Sequence, residues 1–152
     1  MGYYQIHRQQ ILNSDIETIW DFASDTENLK KITPPEVGFE ILSKSSMAME
    51  EGMIIIYKIS PILNIPTSWI TEISHVVKHK CFVDTQLYGP YKFWHHQHKF
   101  DSIESGQTRM TDIITYETPF GIVGDIANAL FLKSKLNKIF DHRTKVLDQM
   151  FN

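Results

Sequence analysis

Asp84-Thr85-Gln86-Leu87-Tyr88-Gly89-Pro90-Tyr91-Lys92-Phe93-Trp94-His95-His96-Gln97-His98-Lys99-Phe100 reads as two strands joined by a tight turn, and the rest of the chain arranges itself around them. Gly89-Pro90 marks the turn, because glycine tolerates positive φ and proline fixes φ and lacks the N–H that a strand ladder needs. Side chains alternate across a strand. Phe82, Asp84 and Gln86 therefore share one face of the first strand, and Trp94, His96, His98 and Phe100 share one face of the second. The stretch 108–117 repeats the arrangement with Met110, Asp112, Ile114 and Tyr116. A face packed only into a core is apolar throughout, and a face turned to water does not carry Trp and Phe. Large aromatics mixed with a few polar groups describe the wall of a ligand cavity.

The 152 residues suffice for one domain, spanning 1–152, with a sizeable core. A net charge of −3, with 42% hydrophobic and 22% charged residues, fits a soluble globular chain and argues against a nucleic-acid partner. Cys81 is the single cysteine, so neither an internal disulfide nor a cysteine-built metal site forms, in keeping with a reducing cytoplasmic setting. No apolar run is long enough for stable membrane insertion. The N-terminal residues lack a basic segment followed by a long apolar one. Ile6 stands where a myristoylation pattern has Ser or Thr, so a cytoplasmic location is expected.

In chain order, residues 3–12 predict a first strand. Ser14 with Glu17 three positions on predicts a capping box opening a helix to about Ala23, with Ile16, Ile19 and Trp20 on its apolar face. A second short helix is expected over 26–32, ended by Pro34-Pro35. Strands follow at 39–42, 53–59 and 67–75, the last two separated by a loop at 60–66. After the central hairpin and the strand 108–117, residues 120–124 predict a hinge-like connection, and one long helix is expected over 125–150. Its apolar side is assigned Ile126, Leu130, Ile139, Phe140, Val146, Leu147 and Met150, and its polar side four lysines and Arg143. The sum is an α+β domain: an antiparallel sheet with one element, the C-terminal helix, long enough to cover it.

This order of elements resembles the START-like, or Bet v 1-like, helix-grip superfamily, also called SRPBCC. The local sequence is similar to a bacterial branch of small single-domain members described as polyketide cyclase-like. The resemblance is carried by Ile32-Thr33-Pro34-Pro35 with Gly38-Phe39, Glu51-Gly52 with Tyr57, and most strongly by Phe82-Val83-Asp84, Gln86, Gly89-Pro90-Tyr91, Trp94-His95-His96 and His98. Thr108-Arg109-Met110-Thr111-Asp112, Tyr116, Pro119-Phe120-Gly121 and Phe140-Asp141 with Arg143 complete it. It implies a curved antiparallel sheet of about seven strands wrapped around a long C-terminal helix, with two short helices after strand 1. Function is implied less narrowly, since the superfamily holds lipid carriers, hormone receptors, aromatases and cyclases.

If the central hairpin pairs Gln86 with Trp94 and Asp84 with His96, and the next pairs a histidine with Asp112, then Asp84, Gln86, His96, His98 and Asp112 cluster on one face. A one-residue slip would instead turn Phe93 and His95 inward. Three readings stay open. The cluster orients the polar end of a small apolar or aromatic ligand (a lipid, isoprenoid or polyketide-like compound), with Tyr57, Trp69, Trp94, Phe100 and Tyr116 giving apolar contact. Alternatively it is a structural polar network in a filled cavity, serving an interaction module. In the third reading it is catalytic, with His96, His98 and Asp112 in a cyclase-type general-base site, or metal-binding through two histidines and a carboxylate. The histidine spacing matches no specific metal motif, and no cofactor is expected: there is no Gly-rich phosphate loop, nucleophile elbow or triad pattern. A homodimer is compatible with all three readings.

Overall fold

The computed structural model describes residues 2–60 and 65–152. The loop expected at 60–66 therefore lies in large part outside the described residues. The elements run β1 (Tyr4–Leu12), α1 (Ile16–Ser24), 3-10 turns at Thr26–Lys30 and Pro35–Val37, β2 (Glu40–Lys44), β3 (Met53–Ile59), β4 (Thr67–Val77), β5 (Cys81–Tyr88), β6 (Phe93–Ile103) and β7 (Gln107–Glu117). A C-terminal helical run follows as α2 (Gly121–Ala127), a π-helical turn (Asn128–Leu132) and α3 (Lys133–Phe151). All neighbouring strands pair antiparallel, in the order β1-β7-β6-β5-β4-β3-β2. Register shifts between Ile41 and Ser43, Ile70 and Thr71, and Ile73 and His75 mark bulges, which bend the strands they interrupt. The result is a curved seven-stranded sheet closed over a long helix.

The register of the central strands matches the pairing read from the sequence. Asp84 stands opposite His96, and His98 opposite Asp112. The inward face of β6 is thus Trp94, His96, His98 and Phe100, all buried, while His95 lies on the opposite face. Met53, Ile55, Tyr57 and Ile59 of β3 point the same way. Two apolar clusters close the ends of this concave face. Leu12, Ile19, Trp20, Phe82, Phe100, Met110 and Leu147 form one, and Ile6, Tyr91, Trp94, Ile114, Tyr116, Leu136 and Phe140 form the other. Each side chain buried to this degree contributes roughly 1.5–3 kcal/mol of transfer free energy. Among the described residues no helix is long and apolar enough to cross a membrane.

Three expectations need correction. The cap of α1 is Asp15, not Ser14: Thr18 donates its backbone N–H to Asp15 Oδ1 at 2.8 Å and its hydroxyl to Oδ2 at 3.0 Å. The helix starts one residue later than the capping-box reading assumed, so Glu17 is one position too early to reach back to the cap. The hinge at 120–124 is the start of the C-terminal helix. Phe120 takes a left-handed φ of 66°, and the chain folds back so tightly that a Cβ on Gly124 would lie 1.9 Å from the Pro119 carbonyl oxygen. That close approach explains glycine at position 124. Finally, the helix buries Asn128, Leu132, Leu136, Phe140, Arg143 and Leu147. Ile126, Leu130 and Met150, expected inside, are exposed. Steps of four, four, four, three and four trace the buried face; residues 126 and 130 fall off it, whereas Met150 keeps the spacing but is exposed in the last turn of the helix.

Candidate functional site

Between the concave face of the sheet, α1 with its following 3-10 turn, and α3 lies a cavity of about 180 Å³. That is of the order of engineered apolar cavities that admit benzene-sized molecules. Its wall is mostly apolar: Ile19, Leu29 and Ile32 from the first helical segments, Ile55 and Ile73 from the sheet, Ile139 and Phe140 from α3. Aromatic groups bound one side, with Trp69 and Trp94 edge-to-face at 5.0 Å and Tyr91 4.9 Å from Trp94. The polar groups on its wall include Asp84, His96, His98 and Arg143.

These polar groups form one network with Asp112. Two imidazoles and two carboxylates alternate. His98 Nε2–H donates to Asp84 Oδ1 at 2.9 Å, and His98 Nδ1 lies 3.0 Å from Asp112 Oδ1. His96 Nε2 is 2.8 Å from the same Asp112 oxygen, and its Nδ1 is 3.5 Å from Asp84. The imidazoles stack on each other with centroids 3.7 Å apart, and His98 stacks on Phe82 at 4.1 Å. Trp94 donates its indole N–H to Asp84 Oδ2 at 3.3 Å.

The two histidines titrate differently for physical reasons. Burial pushes the His98 imidazole down, but hydrogen bonds and charge from Asp112 and Asp84 outweigh it and raise its pKa. Burial and the neighbouring His98 charge push His96 down to about 4, and its bond to Asp112 offsets this only in part. His96 is thus neutral at pH 7. Because a carboxylate can only accept, Nε2 carries the proton and Nδ1 presents a lone pair. Burial alone would raise Asp84 and Asp112. The imidazoles reverse this, holding Asp84 below the ordinary value and Asp112 well below it.

Of the residues singled out in the sequence, Tyr57, Trp69, Asp84, Trp94, His96 and His98 line the cavity. Asp112 stands behind the histidines, against a second void of about 10 Å³. Gln86, Phe100 and Tyr116 stand elsewhere. The Gln86 amide donates to the Tyr91 carbonyl at 2.7 Å and clamps the turn, and Phe100 packs against Trp20 and Phe82. Tyr116 donates its hydroxyl to Asn128 Oδ1 at 2.9 Å. The sequence reading missed Arg143, which it placed on the polar face of the helix; here Arg143 is only 8% exposed. The spacing Leu136, Phe140, Arg143, Leu147 was the available signal, since the arginine sits in register with an apolar stripe.

Asp84, His96 and His98 place ligand atoms within 4.8 Å of one another, a two-histidine, one-carboxylate set that could hold a metal ion. Doing so would require breaking the bond between His98 and Asp84. As a proton-transfer site the cluster is weakly equipped, because His96 is a poor base and both His98 nitrogens face carboxylates.

No protein-family model matches the chain, and no curated protein matches it in sequence. Solved structures do match in fold. An aromatase/cyclase from a Streptomyces species superposes with a TM-score of 0.76 at 9% identity, covering 98% of this chain and 93% of that one. A START superfamily protein from Mycobacterium smegmatis gives 0.73 at 14% identity, covering 99% and 97%. A norcoclaurine synthase point mutant from Thalictrum, in complex with a transition-state analogue, gives 0.68 at 15% identity, covering 98% and 96%. The chain therefore has the START-like, Bet v 1-like helix-grip fold.

Proposed function

We propose that this START-like domain binds one small, largely apolar or aromatic molecule in the cavity between sheet and C-terminal helix, and that it does so without turnover. The observation that carries the reading is the cavity itself: about 180 Å³, walled by Ile, Phe and Trp side chains, with its charged groups gathered in one network. A filled-cavity interaction module would have no such space. The neighbours in fold include proteins named as a START superfamily member, an aromatase/cyclase and a norcoclaurine synthase, so both binding and catalysis occur on this architecture. The geometry favours binding. A general base near neutral pH needs a pKa near the working pH, and His96 lies at about 4 while His98 is held between two carboxylates. Asp84, His96 and His98 then serve to orient the polar end of the ligand, with Tyr57, Trp69 and Trp94 against its apolar body.

The test is native mass spectrometry of the purified protein followed by calorimetric titration with 2-naphthamide, a neutral bicyclic probe. Saturable one-to-one uptake is expected, or displacement of a co-purified molecule. A protein that carries no small molecule and gives no saturable heat up to the solubility limit of the probe would end the reading.

A further inference from the structure

Arg143 on α3 is buried and lines the cavity, yet among the described residues its side chain donates no hydrogen bond. Its Nε is the one buried side-chain polar atom among them without a partner. Its nearest ionic neighbour is Asp112 Oδ1, 3.9 Å from Nη1, beyond hydrogen-bonding distance. Otherwise the guanidinium lies over the Phe140 ring, 4.8 Å from its centroid. A buried cation with unspent donors is expensive, because the desolvation penalty is several kcal/mol per ion and is recovered only by close pairing.

The carboxylates that could pair with it are already engaged. Asp112 faces both imidazoles, and Asp84 accepts from His98 and from the Trp94 indole. Arg143 is also the only Lys or Arg among the described residues lining the cavity. One permanent positive charge thus faces the space, its nearest carboxylate oxygen 3.9 Å away and outside hydrogen-bonding distance.

We propose that the cavity ligand is a hydrophobic monocarboxylic acid whose carboxylate is taken up by the Arg143 guanidinium. This deepens the binding reading above and rests on it. The chemistry narrows the class in two ways. A guanidinium presents paired N–H donors that match a carboxylate two-on-two. A monocarboxylate adds one negative charge to a network that already holds Asp84, Asp112, His98 and Arg143, whereas a dianionic phosphate ester would add two beside Asp84 and Asp112. The void behind Arg143, about 10 Å³, is water-sized and has no room for an organic anion, so the carboxylate approaches from the main cavity.

The experiment compares two probes of nearly equal shape, 2-naphthoate and 2-naphthamide, by calorimetry at pH 7.5 on the wild-type protein, Arg143→Met and Arg143→Lys. The wild type should bind 2-naphthoate about tenfold or more tighter than 2-naphthamide, as expected for charge-assisted hydrogen bonds in a mostly apolar cavity. Arg143→Met should abolish that preference, read as the ratio of the two affinities in the same variant, and Arg143→Lys should keep part of it. If the methionine variant does not fold, the wild-type ratio and the lysine variant decide. Equal wild-type affinities, with the amide still bound, overturn the carboxylate proposal and leave the cavity reading standing. A preference that survives in Arg143→Met also overturns it. If neither probe binds, the cavity reading fails and this proposal falls with it.

Discussion

Replacing His96 by Gln should remove most of the acid sensitivity of this fold between pH 7.5 and 4.5. In the unfolded chain His96 takes up a proton near the ordinary imidazole value of 6.5, whereas in the folded protein burial beside His98 delays this to about 4. Between those values the unfolded state binds more protons, so stability is full above pH 6.5 and falls as the pH falls. A pKa difference of this size corresponds to roughly 3 kcal/mol, most of which is lost between pH 7.5 and 4.5. That is a large share of a stability of about 5–15 kcal/mol. The other members of the network act in other windows. His98, with a raised folded pKa, contributes stability that is complete below 6.5 and lost as pH rises through its folded value. Asp84 and Asp112, with lowered values, lose theirs only as pH falls below about 3.8. Glutamine does not titrate and keeps an N–H able to reach Asp112. Urea unfolding of both proteins at pH 7.5, 6.0, 5.0 and 4.5 isolates the effect: the wild type should lose roughly 2–3 kcal/mol more than the variant over that range. Parallel stability curves, differing by a constant offset, would refute the claim that His96 is held neutral by burial.

Other outcomes follow from single contacts. Tyr116→Phe should cost about 1–3 kcal/mol in urea unfolding, because Asn128 is 2% exposed and loses its hydroxyl donor, while 2-naphthamide affinity stays unchanged. Asp15→Ala should cost about 1 kcal/mol by the same assay, and Ser14→Ala much less, since Asp15 is the cap. Ala23→Leu, which adds methylenes to the cavity wall, should weaken 2-naphthamide binding about tenfold or more without lowering Tm; unchanged affinity would place the ligand elsewhere.

The elements were legible wherever periodicity was strong. Met53 to Ile59, a short apolar run rich in isoleucine, forms the strand so read, and the Gly89-Pro90 turn with its flanking aromatics set the central hairpin. The cap of α1 was misplaced by one residue because Ser14 and Asp15 are both good N-caps and local sequence does not rank them. The start of the C-terminal helix was missed because Gly121 and Gly124 read as a flexible joint. Gly124 is there because the Pro119 carbonyl leaves no room for a Cβ.

For the cavity, the sequence by itself determined which residues share a strand face, because side-chain alternation is a property of the extended backbone. It therefore brought Asp84, His96, His98 and Asp112 to one surface, given the register, and put Trp94 beside them. Only the tertiary structure decided which of those faces meet empty space and which meet other side chains. Phe100 and Tyr116 share faces with the cluster yet are sealed against Trp20 and Asn128, because the first helix and the π-helical turn cover them. Arg143 was assigned to water by its charge. Its position on the helix, three residues from Phe140 and four from Leu147, carries it inside, since a helix is buried by its face and not by the chemistry of each residue on it.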